Sequence, residues 1–214
     1  MIIQRIRGIV EWLLTRLSRF RWGTSPLESL TGNGTPQRKA VLIERILDIE
    51  WQMFSRLREP GSSKSDHGER LYRTMRRRIH SVLPDTVLES YLVDLRQAQK
   101  DGRNLIVEKF DRREGKRPTL KVNPVIAQIV ELENDWKREM DQKSAGFNLE
   151  RDEEAFRLYI TSELETYSDQ TLDLYYRAVL DARRARRNLV EERYRKQASA
   201  SKGKRKKGSG KRAA

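Results

Sequence analysis

The 214-residue sequence predicts an all-α fold, a helical bundle built from two tandem three-helix repeats with an N-terminal amphipathic helix and a disordered basic C-terminal tail. Three observations carry this reading. The six prolines (Pro26, Pro36, Pro60, Pro84, Pro118 and Pro124) leave long stretches with no helix breaker between them. Within those stretches apolar residues recur at steps of three and four, while the two-residue alternation of a strand is nearly absent. The chain also matches itself at an offset of about 84 residues, the mark of an internal duplication.

The elements follow in order. Ile2, Ile6, Ile9, Leu13 and Leu17 share one face of a helix over 1–21, and Arg5, Arg7, Arg16 and Arg19 mark its other faces. Such a helix can pack on the domain, contact a membrane surface or a partner, or serve as an organelle-targeting segment. Glu11 interrupts its apolar run and no small-residue cleavage site follows, which excludes a secretory signal. Residues 22–36, with Gly32, Asn33 and Gly34, read as a linker, so 1–36 stands apart from a helical domain at 37–197.

Inside that domain the spacing predicts helices at 37–58, 67–83, 85–113, 122–143, 149–166 and 168–197. Asn123 before Pro124 places a cap ahead of a proline at the first helical position. Tyr91, Ala98, Arg103, Asn104, Leu105, Glu108 and Phe110 fall on Tyr175, Ala182, Arg187, Asn188, Leu189, Glu192 and Tyr194. One residue shorter in offset, Ile43, Ile46, Leu47, Ile49 and Glu50 fall on Ile126, Ile129, Val130, Leu132 and Glu133. The copies are therefore 37–113 and 122–197, each near the size at which a lone core becomes marginal, and they are expected to share one core about a pseudo-two-fold axis. From 198 onward only Ala, Ser, Gly, Lys and Arg remain, a composition with nothing large to bury.

Composition narrows the function. The net charge is +14, and seven of those charges lie in the tail (Lys202, Lys204, Arg205, Lys206, Lys207, Lys211 and Arg212). The absence of cysteine excludes thiol catalysis, thiolate metal sites and a disulfide framework, and it fits a cytoplasmic location. No apolar run approaches the roughly 20 residues that span a bilayer, so the chain is not read as transmembrane. Glycine-rich phosphate loops, nucleophile elbows and zinc-type spacings are missing from the sequence.

Three blocks of this sequence resemble an uncharacterised bacterial family, the domain of unknown function numbered 4125. They are Ile46-Leu47-Asp48-Ile49-Glu50-Trp51-Gln52-Met53-Phe54, the stretch Tyr91 to Phe110 with Gly102-Arg103-Asn104-Leu105, and Ser162-Glu163-Leu164-Glu165-Thr166-Tyr167-Ser168. The resemblance covers most of 40–195 and implies a helical fold, but no activity. Where the family pattern has a Ser/Arg-rich stretch with a Cys-Gln pair, this chain has Gly61-Ser62-Ser63-Lys64-Ser65-Asp66-His67.

Polar residues on apolar helix stripes are the first candidates for a site. Glu50 lies on the stripe of Ile43, Ile46, Leu47 and Phe54, Glu133 repeats it, and Glu163 stands where the first copy has Ile79. Glu108 and Glu192 recur with Asn104 and Asn188 four residues before them, and Arg103 and Arg187 are their charge partners. These nine residues can converge as a ligand site between the copies, lined by Trp51, Tyr91, Tyr159 and Tyr175, or simply pair with one another to fix how the copies dock. A di-metal carboxylate site would need histidines, and only His67 and His80 exist, without a Glu-x-x-His pair. His80 with Arg73 loosely matches an arginine-histidine ribonuclease pattern, although its repeat partner Leu164 suggests a packing position. Arg76, Arg77 and Arg78, Arg183 to Arg187 and the tail residues Lys204, Arg205, Lys206 and Lys207 are the candidates for non-specific nucleic-acid contact. The reading that results is a binding or interaction module with an unknown protein or small-molecule partner. Its alternatives are a nucleic-acid-binding protein and an enzyme or metal protein using the duplicated glutamates; the cofactor is unknown.

Overall fold

The computed structural model describes residues 36–56, 66–143 and 149–193. The predicted helix at 1–21, nearly all of the 22–36 linker and the basic tail lie outside the described residues. Every regular element among the described residues is helical: α1 (Pro36–Ser55), α2 (Asp66–Ser81), α3 (Asp85–Lys100), α4 (Leu105–Arg113), α5 (Pro124–Gln142), α6 (Leu149–Leu164) and α7 (Asp169–Arg184). Residues 189–193 form a further helical turn.

α1 buries Leu42, Ile43, Ile46, Leu47, Met53 and Phe54 on one face, and Glu50 lies among them. That face meets α2, α3 and α4, and α5 meets α6 and α7 in the same manner. α3 packs on α7, and α4 packs on α6. A continuous core results, with Ile46, Leu47, Leu88, Leu95, Leu105, Ile129, Leu164, Leu172 and Leu189 almost wholly removed from water. Polar contacts cross the same seam: the hydroxyls of Ser90 and Thr171 are 2.6 Å apart, and the Ser168 amide donates to Asp94 at 3.0 Å.

The predicted long helices at 85–113 and 168–197 are each broken in two. After Lys100 the chain enters the left-handed region at Gly102 (φ 69°), and the Arg103 amide donates back to the Ala98 carbonyl at 2.8 Å. Asn104 then caps α4, its side-chain oxygen accepting from the amides of Ile106 and Val107 at 3.1 Å. In the other half Arg186 takes the left-handed position (φ 55°), the Arg187 amide donates to Ala182 at 2.8 Å, and Asn188 accepts from the Glu191 amide at 2.8 Å. This is a Schellman stop followed at once by a capped restart. Helical periodicity continues through such a break, so spacing alone does not reveal it.

Caps elsewhere follow local chemistry. Asn123 accepts from the Val125 amide at 2.9 Å ahead of Pro124, and Ser168 accepts from Thr171 at 3.2 Å to open α7. No helix among the described residues is long and apolar enough to cross a membrane.

Candidate functional site

The centre of the molecule holds charge rather than hydrocarbon alone. Glu50 is fully buried on α1, and Arg76 of α2 clamps it with two N–H donors at 3.0 and 2.6 Å. The Tyr91 hydroxyl of α3 donates to the same carboxylate at 2.9 Å, and the His80 Nε2 lies 3.3 Å from both of its oxygens. Arg76 also reaches Glu163 of α6, at 2.9 and 3.2 Å, so one guanidinium holds carboxylates from two halves of the chain. Lys109 of α4 completes the arrangement, donating to Glu163 at 2.9 Å and to the Tyr91 oxygen at 3.0 Å.

A smaller cluster occupies the corresponding place on α5. Glu133 is fully buried and accepts two N–H groups of Arg193 at 2.6 and 2.8 Å, together with the Tyr175 hydroxyl at 2.5 Å. Three tilted rings join the two clusters: Tyr91 to Tyr167 at 4.8 Å between centroids, and Tyr167 to Tyr175 at 6.2 Å.

The electrostatics follow from burial and pairing. Burial alone would raise the Glu50 carboxyl, but Arg76 and His80 outweigh it and hold the group well below the usual carboxylate range. Glu163 is likewise raised by burial and pulled down further by Arg76 and Lys109, to about 2. Burial pushes the Tyr91 and Tyr175 phenols well up and the His80 imidazole down, although Glu50 opposes the latter shift. At neutral pH the cluster therefore contains ionised carboxylates, neutral phenols and a neutral histidine. The carboxylates and phenols thus shift away from pH 7, whereas burial lowers the Lys109 ammonium toward it, against the opposing pull of Glu163.

The nine expected ligand residues divide into two kinds. Glu50, Glu133 and Glu163 lie in the central clusters. Arg103 and Glu108 instead pair with each other at 3.0 and 2.6 Å beside the first helix break, and Arg187 and Glu192 do so at 2.9 and 2.8 Å beside the second. Asn104 and Asn188 cap the restarts and donate to the carbonyls of Met53 and Trp136, each at 2.8 Å, which ties each break to the end of α1 or the middle of α5. Among the described residues no group of three or more His, Asp and Glu is placed to hold a metal ion.

The expected basic patch on α2 is likewise divided. Arg76 faces the core at 4% exposure, Arg77 is exposed and paired with Glu44 at 2.7 Å, and Arg78 is half-buried. The helical period turns consecutive residues about 100° apart, so three adjacent arginines cannot share one surface. His80 is a buried packing residue, and Arg73 bonds to Asp48 at 2.6 Å and to Glu44 at 3.3 Å on the rim. Lys204 to Lys207 lie outside the described residues.

Sequence reasoning missed Arg76, Lys109 and Arg193 as the cationic partners. Lys109 and Arg193 are 84 residues apart and so occupy matching positions, although Lys109 pairs with Glu163 and Arg193 with Glu133.

Two concavities accompany these groups. A groove of about 770 Å³ runs between α5 and the second helix break, lined by Trp136, Arg138, Glu139, Arg183, Arg186 and Glu191 among others. A cavity of about 30 Å³ adjoins the central cluster between α2, α4 and α6. A family model described as "Protein of unknown function (DUF4125)" matches residues 40–204. No curated protein and no solved structure matches the chain.

Proposed function

Since the chain belongs to the DUF4125 family, which brings no activity with it, we propose from the geometry that the protein is a non-catalytic helical binding module whose buried ionic cluster locks two related units together. One observation carries this reading: Arg76 bridges Glu50 and Glu163, and every carboxylate of the cluster is closed in and paired. Such a cluster specifies how elements dock more than it stabilises them, because desolvation offsets much of the attraction.

The two units correspond to 37–113 and 122–197 and arose by duplication. The support lies in paired details: Tyr91 to Glu50 and Tyr175 to Glu133, Arg103 to Glu108 and Arg187 to Glu192, Asn104 and Asn188 on equivalent carbonyls. On this reading the groove beside α5 is the partner-facing surface. Its rim arginines Arg138, Arg183 and Arg186 stand where the first unit has Ser55, Gln99 and Gly102.

The lock is tested by Arg76→Met followed by denaturant unfolding. Removing Arg76 takes from buried Glu50 its guanidinium and leaves Glu163 with Lys109 alone, and the expected loss is about 3–5 kcal/mol. Wild-type stability for that variant would sink the reading.

A further inference from the structure

The cavity beside the central cluster has an unbalanced lining. Arg76, Lys109 and Arg113 line it, with Glu163 as its one carboxylate. Glu50 lies directly behind Arg76, so three cations meet two carboxylates and one positive charge is left over. The unmatched cation is Arg113. Its Nε donates weakly to the Lys109 carbonyl at 3.4 Å, and no carboxylate among the described residues forms an ion pair with it. Its guanidinium is stacked 4.5 Å from the Phe110 ring centroid and 5.4 Å from that of Tyr159, which fixes its plane.

A second polar group points to the same place. The Tyr72 hydroxyl is buried without a hydrogen-bond partner, and Tyr72, 7% exposed, belongs to the cavity lining. A buried hydroxyl left unmatched costs roughly 1–3 kcal/mol, so it calls for an acceptor. Met75, Phe110 and Tyr159 are only half-buried, so this side of the cavity meets solvent.

We propose that this cavity binds the carboxylate of a small organic acid, held by the Arg113 guanidinium and the Tyr72 hydroxyl, with Lys109 behind it. Size and charge select that class. A volume of about 30 Å³ gives room for two or three water-sized atoms, the size of a carboxylate group. One surplus positive charge matches a monoanion, and a stacked guanidinium offers the two parallel donors that a carboxylate accepts. The assignment gives a ligand class to the binding module proposed above and rests on its cluster being closed and paired.

The test is thermal unfolding of the full chain in sodium formate, acetate, chloride or sulfate at one pH and one ionic strength. Formate and acetate are expected to raise the midpoint saturably, and sulfate to do no more than its ionic strength accounts for. Arg113→Gln and the near-isosteric Tyr72→Phe should each weaken the formate effect at least tenfold. Carbon-13 relaxation of labelled formate reads the same site directly, and should show binding to the wild type that is lost in both variants. An equal formate response in all three proteins, or no saturable response in any, would overturn the assignment, as would a crystal grown in formate with only water in the cavity. Failure here with Arg76→Met still strongly destabilised leaves the lock standing; wild-type stability of Arg76→Met removes the lock itself.

Discussion

At the scale of single residues, Glu163 combines burial with two cationic partners, and its titration is the sharpest consequence. Its pKa falls from the ordinary 4.5 to about 2 in the folded state. A depressed carboxyl contributes stability that is complete above its unfolded pKa and is lost as pH falls through the folded one. The shift corresponds to roughly 3 kcal/mol, expected to disappear between about pH 4.5 and 2. His80 acts in the same direction at higher pH, because its lowered pKa lets the unfolded chain take up a proton first below about pH 6.5. Urea midpoints measured from pH 7 to pH 3 should decline throughout, and Glu163→Gln should flatten the part below pH 4.5. An unchanged slope in that variant would remove Glu163 from the account. At this scale the sequence revealed which acids turn inward, since Glu50 and Glu133 sit on apolar stripes. It did not reveal their partners, because Arg76 looks like one member of a surface arginine run until the helix phase is known.

At the scale of elements, the two helix breaks use one design with different residues. Gly102 adopts φ 69° with no atom within 4 Å of where a Cβ would stand, so its requirement is purely conformational. Arg186 adopts φ 55° despite its side chain. Left-handed backbone costs an ordinary residue roughly 1–2 kcal/mol, partly offset because glycine gives the unfolded chain more freedom. Arg186→Gly should therefore stabilise by about 0.5–1 kcal/mol and Gly102→Ala destabilise by about 1 kcal/mol. Opposite signs in paired denaturation curves are the expected result, and a destabilised Arg186→Gly would mean that its guanidinium makes contacts worth more than the strain. The helices themselves were legible from periodicity to within a few residues. The breaks were not, because a Schellman stop and an asparagine restart preserve the apolar register; Gly102-Arg103-Asn104 was the available signal, and Arg186 conceals it in the second half.

At the scale of the whole molecule, hydrogen bonds and ion pairs join the halves beside the shared apolar core. Arg112 and the Leu120 amide both bond to Glu165 in the turn after α6, at 2.9 and 3.0 Å, and Lys121 donates to the Tyr167 carbonyl at 2.7 Å. With Arg76 and Lys109 also held by Glu163, residues 36–121 alone would expose two buried cations and half a core. That fragment is expected to lack a cooperative transition, whereas the full chain should unfold in a single step with coincident circular dichroism and tryptophan fluorescence. Two separated transitions would show independent domains. The self-similarity of the sequence was readable because matching residues recur at offsets of 84 and 83, while Glu163, which stands opposite Ile79, became meaningful only once Arg76 of α2 was seen to reach it.

That difference also governs assembly. During synthesis or refolding, first halves from two molecules offer each other the same apolar faces that each presents to its own second half. Such a pair would enclose two copies of Arg76 and Lys109 with only two copies of Glu50, and so carry uncompensated charge into a dry interface. Glu163 is thus a password that a wrong partner lacks, and it disfavours swapped dimers at the step where a chain with self-similar halves is most exposed to them.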